Sequence, residues 1–237
     1  MKKLAFIFTI GVFLLGASSC NKEQCKDGDG YPRLAVRKLP PFTEVDANLS
    51  AIIELVKDTA HFVELEVEEN VETHITTVVN DEKLRIALGF CFNSHAEIIV
   101  KVHYDSLNAI TVRGPGDIVS NSLMRQENLT LNIKSSGDIR LTTDIRNLIS
   151  NIEGPGNIEL NGQVHYHLIN HSNSGNVNSY QAMTDSVVAY MGGTGNAYLR
   201  VNRDLYTEIS NSGNLYYKEN PKITEVITGT GQVINDN

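Results

Sequence analysis

The chain has 237 residues, with 20 basic against 28 acidic side chains and a formal net charge of −8. That balance excludes nucleic acid, and an anionic lipid face, as partners bound by charge. The length allows one domain with a sizeable core.

Residues 1–20 read as a processing segment. Lys2 and Lys3 give a positive start, Leu4 to Leu15 is an apolar run, and Gly16, Ala17, Ser18 and Ser19 lead to Cys20. The run is too short and ends too abruptly for a spanning helix. Small residues before a cysteine resemble a bacterial lipoprotein box, of the relaxed kind found in Bacteroidetes, with Ala17 where leucine is usual. The expectation is lipidation of Cys20 and a membrane partner reached through that anchor. Loss of Lys2 and Lys3 with the leader takes the mature net charge from −8 to −10. Residues 21–32 are polar and read as a tether. Cys25 and Cys91 remain, an even pair in an oxidising compartment, and are a disulfide candidate; two separate thiols are the alternative.

The domain is expected over residues 33–237. Its first part, 33–106, has strand patterning without glycine turns. Phe42–Ala47, Phe62–Val67 and Ile98–Val102 alternate as strands, and Asn80–Lys83 is a turn before Leu84-Arg85-Ile86. The expectation is degenerate, cap-like coils of the sheet system that follows, with a separate small β domain as the alternative.

Residues 107–237 hold seven recurring turns: Gly114-Pro115-Gly116, Ser135-Ser136-Gly137, Gly154-Pro155-Gly156, Asn173-Ser174-Gly175, Gly193-Thr194-Gly195, Asn211-Ser212-Gly213 and Gly229-Thr230-Gly231. Their last glycines are 21, 19, 19, 20, 18 and 18 residues apart. A fixed period near nineteen means stacked units, none able to bury its apolar face alone. The residue after each last glycine is Asp117, Asp138, Asn157, Asn176, Asn196, Asn214 or Gln232, able to form a ladder along one edge. The position two after it is apolar in all seven units. The position four before it is apolar in six, with His171 as the exception. Apolar residues at even offsets on both sides of a turn are the signal of half-buried strands. The glycines are expected to supply positive φ at a tight corner. The fold class is therefore all-β, a β-solenoid with low helix content. The residue two before the last glycine alternates between glycine and Ser or Asn, so a coil holds either one unit or two, about 38 residues; one is preferred.

Taken together, the chain resembles the putative autotransporter adhesin, head GIN domain family. The resemblance covers roughly residues 33–235. It rests on the lipoprotein start, on Arg37, Leu39, Phe42 and Val45, and on Glu69, Asn70, Ile75, Thr77 and Val79. The junction Leu107 to Ile118 and the repeated Gly-x-Gly-Asp/Asn-Ile motif complete it. It implies a right-handed parallel β-helix on an envelope protein, and no enzyme mechanism.

Candidate chemistry is sparse. Asp117 and Asp138 stand at equivalent turn positions, but the same column holds amides five times, so it fills a turn rather than titrating. No Ser-His-Asp or Cys-His pattern is recognisable. Gly192-Gly193-Thr194-Gly195 is followed by Ala197 where a calcium repeat needs aspartate. No cofactor is expected. His165, His167 and His171 share strand parity and are the best metal candidates, with Asp185 one coil away. The alternative is a polar strand face with His171 in a core position, and no metal is expected. Tyr198, Tyr206, Tyr216 and Tyr217, among Asn and Ser, suit sugar or protein recognition. The functional expectation is a membrane-anchored, extracytoplasmic binding module of adhesin type, on either the periplasmic or the outer face of the outer membrane. Its ligand is a carbohydrate or a protein. A structural or assembly protein of the envelope is second and a polysaccharide-active enzyme third. Oligomeric state is open.

Overall fold

The computed structural model describes residues 25–93 and 96–237. Cys20 and the leader lie outside the described residues, as do 21–24 of the tether. Strand accounts for 64% of the chain and helix for 2%. In chain order the first elements are β1 (Lys26–Asp27), β2 (Arg33–Lys38), β3 (Glu44–Asn48), β4 (Ile52–Lys57) and β5 (Phe62–Val67). The single turn of helix α1 (Glu69–Glu72) follows, then β6 (Ile75–Asn80), β7 (Lys83–Leu88), β8 (Phe92–Asn93) and β9 (Ile99–Tyr104). The repeat region is β10 (Ala109–Val112), β11 (Asp117–Ile133), β12 (Ile139–Ile152), β13 (Ile158–His171), β14 (Val177–Met191) and β15 (Ala197–Ile209). It ends with β16 (Leu215–Lys218), β17 (Lys222–Ile227) and β18 (Val233–Asn235).

The repeat region is a β-solenoid of about seven turns with a spacing near nineteen residues. Each coil has an arm after the glycine turn, an outer bend, and an arm leading to the next turn. Strands of successive coils pair in parallel. On the post-turn arm Ile118, Ile139, Ile158, Val177, Ala197 and Leu215 stack in one column and are fully buried. On the pre-turn arm Val112, Ile133, Ile152, His171, Met191 and Ile209 do the same. Each unit thus stacks on the unit before it, and a coil holds one unit.

The glycines have a different reason from the one expected. None of the seven final glycines has positive φ; among the described glycines Gly30 and Gly162 do. Instead the backbones nest. A Cβ added at Gly137, Gly156, Gly175, Gly195, Gly213 or Gly231 would overlap the carbonyl oxygen of the equivalent glycine one coil back. The alternation two residues earlier has the same origin. Gly154, Gly193 and Gly229 press on the backbone of Ser135, Asn173 and Asn211. The intervening coils keep a side chain: Asn173 and Asn211 accept from Ser174 N and Ser212 N, both at 2.9 Å. Two turn forms therefore stack alternately without doubling the coil.

The N-terminal strands extend the same sheets, but not as coils in chain order. Along the pre-turn arms the order is β6, β7, β3, β10, β11; along the post-turn arms it is β2, β5, β9, β4, β11. The coil β3–β4 is thus inserted between β7–β9 and the first glycine-turn coil. Strands β2, β5 and β6 run antiparallel to their partners. The β6–β7 hairpin turns at Asp81 and Glu82, both at positive φ (50° and 58°), as a two-residue primed turn requires. Reversal needs only such short turns, so the chain closes this end of the stack locally. Cys25 and Cys91 are joined by a disulfide with a Cα–Cα distance of 4.6 Å, beside the short parallel pair β1–β8.

Candidate binding groove on the pre-turn arms

One edge of the solenoid is a continuous side-chain ladder. Oδ1 of Asp117 accepts from Asp138 N at 2.9 Å, Asp138 from Asn157 N at 2.8 Å, and Asn157 from Asn176 N at 3.0 Å. Asn176, Asn196 and Asn214 continue it to Gln232 N. The column tolerates acid or amide because the structural requirement is one acceptor oxygen. The two acids are neighbours, and Arg140 lies between them, 2.8 Å from Asp117 Oδ2 and 3.0 Å from Asp138 Oδ2. Its bond to Asp117 leads the interactions that hold the guanidinium pKa above its ordinary value. Both carboxylates are occupied by structure, which leaves neither free as an acid or base.

The three histidines do not converge. At the outer bend of β13, Val164 and His167 point inward and the two residues between them point outward, so strand parity shifts. His165 is exposed and its Nδ1 lies 2.9 Å from Asp185 Oδ2. That contact is the first cause of the lowered Asp185 pKa. His167 is fully buried, with Nε2 at 2.8 Å from Ser150 Oγ. His171 is buried in the apolar column, with Nε2 at 2.5 Å from Gly175 O, and burial lowers its pKa. Among the described residues no group of three or more His, Cys, Asp or Glu side chains is placed to hold a metal.

The four tyrosines also separate. Tyr198 and Tyr216 stand on the post-turn arms and stack on each other at 4.9 Å and 11°. Tyr180 meets the Tyr198 ring edge-on at 5.6 Å, and its hydroxyl donates to Asp236 at 2.7 Å. The rings of this group largely cover one another. Tyr217 packs against the core. Tyr206 lies on the pre-turn arms, where its hydroxyl donates to Glu208, the leading cause of its raised pKa.

Beside Tyr206 the pre-turn arms carry a groove of about 440 Å³ that sequence reading missed. Tyr190, 42% exposed, forms its wall and meets Tyr206 edge-on at 6.3 Å. In the same column one coil apart lie Asn132, Asn151, Asn170, Tyr190, Glu208 and Val226. The amides form a second ladder: Asn170 Nδ2 donates to Asn151 Oδ1 and Asn151 Nδ2 to Asn132 Oδ1, both at 2.8 Å. Each amide NH₂ has a second hydrogen to offer. The ladder stops at Tyr190, so Asn170 Oδ1 accepts from no protein group among the described residues. Ser172, Ser210 and Thr228 line the opposite wall. Next to this column Ile149, Leu168, Val188 and Tyr206 form a half-buried, outward-facing row. The missed signal is an offset: Tyr190 stands five residues before Gly195, where the three preceding units carry asparagine.

The arrangement offers an aromatic face, free amide donors and an open acceptor along the solenoid axis. Solved structures share the architecture. A putative adhesin from Bacteroides fragilis superposes with a TM-score of 0.82 at 18% identity, covering 89% of this chain and 99% of that one. One from Parabacteroides merdae gives 0.69 at 18% identity, over 89% and 98%. A putative lipid binding protein from Parabacteroides distasonis gives 0.63 at 17% identity, over 90% and 100%. At such identities these show the fold alone. No curated protein matches. The family model for the putative auto-transporter adhesin, head GIN domain, matches residues 41–221, and the chain belongs to that family.

Proposed function

We propose that the protein is a lipid-anchored binding module of the bacterial envelope, and that the groove on its pre-turn arms takes a carbohydrate. The carrying observation is Tyr190, an exposed ring directly after the open end of the Asn132–Asn151–Asn170 ladder. Aromatic rings pack against the apolar faces of sugars while amides meet their hydroxyls. Anchoring is supported by the leader and Cys20, and the envelope setting by the family. The binding role is also what the family's name describes, and the occupied Asp117 and Asp138 give no support to catalysis.

A glycan array probed with the chain from residue 21 onward tests this. Saturable binding is expected, weakened about tenfold or more by Tyr190→Ala or Asn170→Ala and retained by Tyr198→Ala. A blank array, or binding indifferent to Tyr190, overturns the assignment. An assembly role is favoured by the exposed edge of β17, where Val226 and Ile227 are open. It is opposed by Glu225 at an inward column position of that strand, facing where the next coil would stack.

A further inference from the structure

Among the described residues, half of the large exposed apolar side chains lie on strands and loops at one end of the solenoid. Tyr31 is 90% exposed, Leu34 63%, Val36 58% and Phe90 58%; Val78 is exposed on β6, on the outward face of the other arm. Strands β2 and β6 are the edges of the two arm stacks at this end. The flanks and the opposite end share the remaining five. Single exposed apolar residues need no explanation, but a clustered set marks a contact surface. Charges of both signs surround them: Lys26 Nζ lies 5.0 Å above the Phe90 ring, Arg33 pairs with Glu69 at 2.9 Å, and Glu66 and Glu64 stand opposite Leu34 and Val36 across the β2–β5 pair.

The chain enters the fold here. Cys25 is fastened to Cys91, Asp29 N donates to Asn70 Oδ1 and Asn70 Nδ2 to Asp27 O, both at 2.9 Å. Cys20 is five residues before Cys25, and five residues span at most about 17 Å. Without the disulfide and the two-residue β1–β8 pair, the first firmly paired strand begins at Arg33, thirteen residues on and about 44 Å away at full extension.

We propose that this end is a lipid-contacting foot: the disulfide shortens the leash so that Tyr31, Leu34, Val36 and Phe90 rest on the bilayer surface beside the acylated cysteine. The proposal rests on the lipid-anchor reading above. Aromatic and aliphatic side chains suit the headgroup boundary, and they add a second attachment to the acyl chains. Tyr190 lies on the eighth strand counted from β6, so the groove is about 34 Å along the solenoid from this end at ~4.8 Å per strand.

The chain has no tryptophan, so one introduced indole reports its own depth. The full lipoprotein carrying Leu34→Trp is reconstituted in phosphatidylethanolamine–phosphatidylglycerol vesicles with brominated acyl chains. Val226→Trp, at the opposite end, is the reference. Quenching at least twofold greater for Leu34→Trp is expected, reduced by about half when Cys25→Ser and Cys91→Ser release the leash. Equal quenching at both positions in protein that floats with the vesicles overturns the foot. Failure to float shows that the anchor is absent, which sinks the anchoring reading alone. The same reporters are then read with a hexahistidine tag in place of Cys20 on nickel-lipid vesicles. Selective quenching there supports the foot, and its absence overturns it.

Discussion

Acid should weaken this fold through His167, and the size of the effect follows from its burial. The ring is fully buried, one nitrogen meets Ser150 Oγ, and Nδ1 has no partner. Desolvation lowers its pKa from 6.5 to about 3. Between those values the unfolded chain takes up a proton that the native state refuses. Stability is therefore unaffected above pH 6.5 and falls by about 1.4 kcal/mol per pH unit below it. By about pH 4.5 the loss from this residue alone is on the order of 3 kcal/mol. The column neighbours are Leu148, Val187 and Leu205, so leucine fits the stack. The His167→Leu, Ser150→Ala double variant removes the proton site without stranding the serine hydroxyl. Urea unfolding of both proteins at pH 7.5 and near pH 4.5 gives a double difference in which shared groups, His171 included, cancel. The variant should gain about 2–3 kcal/mol on the wild type between the two pH values. Parallel pH dependences would refute the argument.

Three further outcomes are expected. Gly175→Ala forces a Cβ onto the Gly156 carbonyl and should cost roughly 2–4 kcal/mol, whereas Gly89→Ala, whose nearest neighbour is His74 O at 3.9 Å, should leave the melting temperature unchanged. Asn176→Ala removes an interior rung and strands Asn196 N, costing about 1–3 kcal/mol by urea unfolding, while Gln232→Ala at the ladder's end should change stability by less than about 0.5 kcal/mol. Glu225→Val makes the inward row of β17 apolar from Ile223 to Ile227 on an open edge and should produce concentration-dependent association in sedimentation equilibrium; a strict monomer would show that this charge does not guard the end.

The columns beside each turn were legible because their offsets from the final glycine are constant. Ile139, Ile158 and Val177 stack as the alignment orders them, and Asp138, Asn157 and Asn176 form their ladder there. Away from the turn the outer bend breaks the count. His165 and Tyr166 face outward in succession, so residues of equal parity, such as His165 and His167, end on opposite faces. Tyr206 keeps its parity but parts from Tyr198 and Tyr216 because the bend carries it onto the other arm. The N-terminal strands carry no turn signature and hence no stacking address, which hid the insertion of β3–β4 between β7–β9 and β10. The glycines were recognised with the wrong cause: their need is carbonyl contact from the coil before, a distance between distant residues that no local φ preference reveals.

Seven copies of one unit also supply an internal control that separates architecture from recognition. A column holding one chemistry in every coil answers a demand the fold repeats: the turn acceptor is Asp or Asn from Asp117 to Asn214 because the backbone N–H of the next coil must be met each time. A column that changes identity is under no such demand. Outward columns change on both arms. On the post-turn arms the variable residues engage each other or their neighbours: Arg140 holds two acids, and Tyr198 stacks on Tyr216. On the pre-turn arms the column passes from asparagine to Tyr190 and leaves an acceptor and an exposed ring unmet. Interactions completed within the protein have little left to give a ligand. Those left open at Asn170 and Tyr190 lie in adjacent coils, so the recognition surface falls on the pre-turn arms.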